Sequence, residues 1–431
     1  MQEVLFYNME NHIFVLGIDG VPYSLLSQLI QKNRFPNLQK VVTSTNMKEI
    51  KSVYPVISSV AWTNFATGNN PAEHSIFGFI DRTASPFQLN ILTSNNRKSE
   101  PIWRTLSKHQ KKAIVINVPI TYPVEQVNGK MVSCFLCQDI KKGVYPKTLT
   151  SLLESHNYII DADAWLARTD RDAFLKQIFK ALDARFEVAM ELIQEEWDYF
   201  QLHIMETDRL MHFFWYDIEN EESPYYKEIA KFFEKLDWWI GQLLEKLGDN
   251  CPLIILSDHG FCGIKHEVQM NTWLKQKGYL IMNENPYDLS DYNERSTCYS
   301  LLPGRFYINL QGREEKGSVS PADYEKVRKE IKEQLLQFKN PRTGEPVIQK
   351  VFYREEIYSG PYLENAADII AHPNNGYDLK GMLQNDDIFT NSALNGMHTY
   401  EDAVIIGKNF DIQNVNTIAD TNQEIKHYLG I

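Results

Sequence analysis

Leu253-Ile254-Ile255-Leu256 runs straight into Ser257-Asp258-His259-Gly260. Four apolar residues read as a buried strand. An adjacent carboxylate and imidazole at its end are either a polar turn or a pair of metal ligands. The same juxtaposition recurs along the chain. Ile13–Ile18 is followed by Asp19 and Gly20, and Tyr199–Ile204 by "METDRLMH", which sets Asp208 and His212 four apart on one helix face. "NGMHTYEDAVII" places His398 just before the apolar Ala403–Ile406. Taken singly, each has an ordinary explanation. Asp19 could cap a helix, Asp208 and His212 could be a chance pair, His398 could be a loop histidine and Asp258-His259 a turn. Taken jointly, carboxylates and imidazoles from distant stretches gather at strand ends. Such a mixed oxygen and nitrogen set suits Zn²⁺ or Mn²⁺ better than Mg²⁺ or Ca²⁺, which prefer all-oxygen shells.

A hydroxyl is also on offer. "YPVISSVAWTNFATGNNPAEHSIFGF" (Tyr54–Phe79) sets Ser58 and Ser59 at the start of an expected short helix. A serine there is an N-cap, or, beside a metal, a nucleophile of lowered pKa. The helix N-terminus adds partial positive charge for an anion.

These residues need a scaffold. Ile13–Ile18, Ala113–Val118, Tyr199–Ile204, Leu253–Leu256 and Ala403–Ile406 read as buried strands. Helical patterns cover Val60–Thr67, Ala173–Glu195, Tyr226–Leu247 and Pro321–Phe338. Alternation of the two predicts a mostly parallel sheet with helices on both faces, and ligands at the carboxyl ends of its strands. Residues 262–395 differ. "MNENPYDLSDYNERS", "KNPRTGEPV" and "HPNNGYDLKG" are rich in Asn, Pro, Gly and Tyr, which predicts an irregular, lid-like excursion returning to the core near Met397. Neither repeats nor low-complexity segments occur.

The 431 residues suffice for one large α/β domain, and 43% hydrophobic with 12% aromatic residues builds a sizeable core. A formal charge of −12 argues against general nucleic-acid binding but leaves room for a phosphorylated small molecule held through cations. No run approaches a membrane span. The opening "MQEVLFYNMENHIFVLGIDG" lacks the basic flank and uninterrupted apolar run of a secretory signal, and five cysteines imply no disulfide framework, so a cytoplasmic location is expected. Cys134 and Cys137 form a CxxC with no second pair at zinc-ribbon spacing. Nothing in the chain specifies an oligomeric state.

Taken in order, "LGIDGVPYSLL", "SSVAWTNFATGNNPAEHSIFGF", "ETDRLMH", "LSDHGF" and "GMH" resemble the alkaline phosphatase superfamily, and within it the type I phosphodiesterase/nucleotide pyrophosphatase-like branch. "NVPITYPVEQVNGKMVSCFL", "NTWLKQKGYL" and "LPGRFYINLQGRE" are similar to a prokaryotic subgroup of that branch. The resemblance covers most of the chain. It implies a three-layer α/β/α sandwich forming a single catalytic domain over 1–431, with the excursion at about 262–395. It implies that Asp19, Asp258 and His259 hold one metal, with Ser58 as its further ligand, and that Asp208, His212 and His398 hold a second. Zinc is the first choice for both, manganese the alternative. Two such ions roughly 3.5–4 Å apart clamp the attacking and leaving oxygens of an in-line displacement. Ser58 would attack phosphorus, giving a phosphoseryl intermediate that water hydrolyses.

The chain departs from that pattern in places. The branch usually has threonine as nucleophile where this chain has Ser58, with Ser59 next to it as the alternative. Phe79 stands where those enzymes place a phosphate-binding asparagine, and "CFLCQ" replaces a stretch in which the subgroup carries glycine and threonine-proline. A sulfatase would need x-Pro-x-Arg after the nucleophile, and Ser58 is followed by Ser59-Val60-Ala61-Trp62. A cofactor-independent phosphoglycerate mutase would carry a large insertion after the nucleophile, which is absent. No P-loop lysine signature or GxGxxG follows a strand. Trp62 and the aromatics of "HFFWYDIENEE" read as core or pocket wall rather than base-stacking groups. His74 reads as structural, and His203 as packed within its strand. The expected function is therefore hydrolysis of phosphate esters, diesters first. A phosphomonoesterase or phosphotransferase of the same superfamily is the near alternative, and an inactive metal-binding interaction module the distant one.

Overall fold

Ile13–Ile18 is apolar along its whole length, and a strand with two apolar faces must be covered on both. In the computed structural model, which describes residues 12–381, 383 and 386–431, this strand lies inside an eight-stranded sheet. Across the sheet the order is Asn46–Ile50, Ala403–Lys408, Leu253–Leu256, Ile13–Ile18, Tyr199–Ile204, Ala113–Ile116, Gly129–Val132 and Val144–Tyr145. From Leu253–Leu256 to Gly129–Val132 every pairing is parallel. Ala403–Lys408 runs antiparallel to both its neighbours, and Val144–Tyr145 antiparallel to Gly129–Val132. The mostly parallel sheet is as the strand and helix alternation predicts.

Strand periodicity divides the core in two. Phe14, Leu16 and Ile18 pack beneath the helices Arg171–Leu192 and Tyr226–Leu247. Ile13 and Val15 face the opposite layer, made by Ser58–Thr67, Ile102–Lys108 and Asp420–Leu429. This is the expected three-layer sandwich. Gly17 belongs to the second face and is needed there, because a Cβ would come within 2.5 Å of the Trp62 ring. Gly129 is fixed more strictly. Its φ is +142° and a Cβ would lie 2.0 Å from the Ala113 carbonyl oxygen. Gly129→Ala should therefore lower unfolding free energy by about 3 kcal/mol, read from urea denaturation.

Helix ends move by a few residues from the sequence expectation. Arg171–Leu192 begins early because the Asp170 side chain caps it, accepting from the Ala173 N–H at 2.9 Å. The excursion is more ordered than its composition suggests. Cys298–Leu301, Arg305–Ile308, Ile369–Pro373 and Ile348–Tyr353 form a four-stranded antiparallel sheet backed by the helix Tyr324–Leu336. Its tyrosines, which look loop-like in sequence, are strand residues: Tyr299 and Tyr307 sit opposite each other with rings stacked at 5.4 Å. Buried ion pairs tie it to the hairpin Ile80–Ala84/Phe87–Ile91, Arg82 to Glu314 at 2.6 Å and Arg305 to Asp81 at 3.3 Å.

The reading of the first eleven residues as unlike a signal lies outside the described residues. No helix among the described residues is long and apolar enough to cross a membrane. All five cysteines are free. Cys134 and Cys137 are buried, and the Cys137 thiol donates to the Asp139 carbonyl at 3.0 Å.

Candidate metal centre

Each strand end delivers part of one constellation. Asp19 follows Ile13–Ile18, Asp258 and His259 follow the neighbouring Leu253–Leu256, and the helix Glu206–Glu219 after Tyr199–Ile204 carries Asp208 and His212 one turn apart. His398 arrives differently. A parallel strand would put a preceding residue at the far edge of the sheet. Ala403–Lys408 runs the other way, so it starts where its neighbours end. A short ribbon then pairs Gly260–Gly263 with Gly396–Thr399 and sets His398 opposite Phe261.

Two groups result. Asp19, Asp258 and His259 form one, Asp208, His212 and His398 the other, and within each a donor atom from every residue lies within 4.8 Å of the rest. The groups adjoin: the His259 and His398 rings stack with centroids 3.6 Å apart. Ser58 lies at the start of the helix Ser58–Thr67, whose N-cap is Ile57. Its Oγ is 3.3 Å from His259 Nε2 and 3.5 Å from Asp19 Oδ1. The Ser59 hydroxyl is buried without a hydrogen-bond partner.

The donor chemistry fits cations. His212 Nδ1 donates to the Gly396 carbonyl at 2.8 Å, and His259 Nδ1 to the Gly260 carbonyl at 3.0 Å. A carbonyl only accepts, so in the neutral rings both Nε2 atoms hold lone pairs. In the second group His398 Nε2 stands 3.0 Å from His212 Nε2 and 3.1 Å from Asp208 Oδ1. Acceptors this close require a proton or a metal between them. In the first group Asp258 Oδ2 is buried without a hydrogen-bond partner, 3.4 Å from His259 Nε2. Burial, and then the charges of Asp19 and Asp208, push the Asp258 carboxyl well above the usual range. Burial, together with His398, pulls His259 down to about 3, which keeps it a neutral ligand. Burial opposes ionisation of Asp208, but the charges and hydrogen bonds of His212 and His398 hold it well below its usual value. For His212 burial is outweighed by Asp208, and its pKa is raised. Three carboxylates in one dry space are compensated most directly by cations.

Some participants carry no role in the sequence reading. His203 is packed within its strand as expected, yet its Nε2 hydrogen-bonds Asp19 Oδ2 at 2.7 Å. The Trp62 indole N–H donates to the same oxygen at 3.1 Å. Burial would raise the Asp19 carboxyl, but the His203 hydrogen bond and the charges of His203 and His259 keep it lowered. Asp19 Oδ2 is thus committed and Oδ1 is turned to Ser58 and His259. The signal lies in strand register: His203 pairs with Gly17, on the same face as Asp19 two residues on. Thr207 donates its hydroxyl to the Asp19 carbonyl at 2.7 Å. Arg209, within "ETDRLMH", forks onto Asp161 at 3.0 and 2.8 Å and lies 3.6 Å from Asp208 Oδ2. If each group holds a divalent cation, His203→Phe should weaken one equivalent about 10- to 100-fold in a calorimetric titration and leave the other in place.

The remaining expectations concern neighbours. His74 is structural, bonding Asn64 at 2.7 Å and accepting the Ile76 N–H at 3.1 Å, and burial drops it to about 3. Phe213, Phe214 and Trp215 are buried in the core. Phe79 sits edge-on to Phe135, with centroids 5.2 Å apart.

A mostly parallel sheet between two helical layers is the fold of alkaline phosphatase-like enzymes. Residues 13–401 match the family model for type I phosphodiesterase / nucleotide pyrophosphatase, and the chain belongs to that family. Among curated proteins no relative matches. Among solved structures, phosphonoacetate hydrolase from Sinorhizobium meliloti 1021 in complex with phosphonoformate is similar at a TM-score of 0.65 and 16% identity, over 98% of this chain and 95% of that one. Murine ectonucleotide pyrophosphatase / phosphodiesterase 5, an inactive variant in complex with AMP, is similar at 0.58 and 14%, over 98% and 96%. Family membership makes this chain a phosphoester hydrolase of the phosphodiesterase/pyrophosphatase type.

Proposed function

We propose that the protein hydrolyses phosphodiesters with Ser58 as nucleophile and two divalent cations, zinc first and manganese second. The observation that carries this is the Ser58 hydroxyl beside His259 Nε2 and Asp19 Oδ1, with the second ligand group adjoining. Asp19, Asp258, His259 and Ser58 would hold one cation, Asp208, His212 and His398 the other. When bound, the cations supply Lewis acidity that lowers the serine pKa and offsets charge on the phosphoryl oxygens. His203 and Trp62 keep Asp19 aimed at Ser58. His259, neutral and tethered to the Gly260 carbonyl, presents Nε2 to the same space. The N-terminus of the Ser58 helix adds positive potential where the phosphoryl group sits. Ser58 Oγ bonds to phosphorus as the leaving alcohol departs, and water then cleaves the phosphoseryl ester.

The chain works as a single catalytic domain, and residues 262–395 serve as its lid and wall. Hydrolysis of bis-p-nitrophenyl phosphate in Zn²⁺ or Mn²⁺, faster than of the monoester and abolished by chelator, tests the reading. Mass spectrometry of acid-quenched enzyme should find phosphate on Ser58. Turnover without phosphorylated Ser58 would refute the covalent route.

A further inference from the structure

A cavity of about 160 Å³ opens onto the second ligand group. His212 and His398 line it, and neither Ser58 nor the first group does. One wall is Tyr54–Ile57, the segment leading into Ser58. The other comes from the excursion: Leu302, Ile370, His372 and Lys380. The position defines the occupant, given the serine mechanism proposed above. Displacement at phosphorus is in-line, so a nucleophile on the side of the first group expels its leaving oxygen toward the second. Whatever is attached to that oxygen enters this cavity.

Its size and charge define the occupant's chemistry. A dry protein cavity of about 150 Å³ accommodates benzene, so the enclosed part of this one takes a single ring and not a nucleoside. Tyr54, Val56, Ile57, Leu302, Ile370 and Met397 make its wall mostly apolar. Lys380 is paired with Asp378 at 2.5 Å, and burial lowers His372 to about 4, leaving it neutral. The described lining residues therefore offer no unpaired cation to a pyrophosphate or phosphate leaving group.

We infer that this cavity is the leaving-group site and that it selects diesters whose departing alcohol or phenol is uncharged and no larger than one ring. In the step it serves, the Ser58 Oγ–P bond forms and the Ser58 proton passes to solvent. The P–O bond to the leaving group breaks, its electron pair stays on that oxygen, and the oxygen takes a proton from water.

Methyl p-nitrophenyl phosphate and methyl 4-methylumbelliferyl phosphate test this, since their leaving groups have similar basicity but one and two fused rings. The one-ring ester should show at least tenfold higher kcat/KM, and ATP releasing pyrophosphate should be poorer than both. Leu302 is 40% exposed, so a larger side chain fits there without disturbing the fold. Leu302→Trp should lower the one-ring kcat/KM at least tenfold, and Leu302→Ala should raise the two-ring value. A second arm uses no turnover. Ser58→Ala enzyme loaded with Zn²⁺ should bind p-nitrophenol by calorimetry, and adding Leu302→Trp should weaken that binding at least tenfold. Equal kcat/KM for both esters, unmoved by either Leu302 change, would overturn the leaving-group site while leaving the serine mechanism standing. p-Nitrophenol binding sensitive to Leu302, with no diester cleaved, would keep the cavity's selectivity and discard the mechanism.

Discussion

Ser58→Ala should reduce phosphodiester turnover by on the order of 10⁴-fold without unfolding the protein or emptying either proposed cation site. Loss of a covalent nucleophile costs serine hydrolases about 10⁶-fold in kcat, and what remains comes from the rest of the site. Asp19, Asp258, His259 and the whole second group survive the change, so cations held there would still offset charge on the phosphoryl group and a slower direct attack by water would persist. The Ser58 side chain is one hydroxyl at a helix start, and Ile57, not Ser58, is the N-cap, so no cap is lost. Ser59→Ala should cost less than threefold, because its hydroxyl is buried and touches no polar partner. Ser58→Thr keeps the hydroxyl and should recover much of the rate. Initial rates with bis-p-nitrophenyl phosphate, beside metal content by mass spectrometry, separate these outcomes. Equal losses from Ser58→Ala and Ser59→Ala would sink the assignment.

The second large effect comes from His398→Ala. Its Nε2 closes the group with Asp208 and His212, and its side chain is only 17% exposed. Removing it leaves a carboxylate and one imidazole, too few for tight binding. One cation equivalent should be lost and turnover should fall by roughly 10³-fold, the scale set by removing charge stabilisation from a developing oxyanion. Stability should report the same event. A ligand at about 1,000 times its Kd stabilises the native state by about 4 kcal/mol. Chelator should therefore lower the Tm of the unaltered protein and of Ser58→Ala alike, and lower that of His398→Ala by less. A chelator effect equal in all three proteins would place the cations elsewhere.

Much of this arrangement is readable before any coordinates. Ile13–Ile18, Tyr199–Ile204 and Leu253–Leu256 are strands over their full expected lengths, because apolar runs bounded by polar loops leave little choice. The ligand groups follow from them, since side chains after adjacent parallel strands must share an edge. The direction of Ala403–Lys408 is not legible, because a buried antiparallel strand is as apolar as a parallel one. It nevertheless decides on which edge His398 lies. The hold of His203 on Asp19 depends on register between strands far apart in sequence, and the apolar pattern is the same in either register. Within residues 262–395, polar loop residues outnumber the tyrosines and isoleucines that build the small sheet.

The position of Ala403–Lys408 has a consequence for biosynthesis. It leaves the ribosome after both of the strands it lies between, Leu253–Leu256 and Asn46–Ile50. Until it inserts, the Leu-Ile-Ile-Leu stretch presents an open apolar edge, the kind that recruits stray chains. Asp19, Asp258 and His259 are all in hand by then, whereas the group that needs His398 is not. The first group can therefore assemble before the second, and the open edge lasts until Ala403–Lys408 is in place.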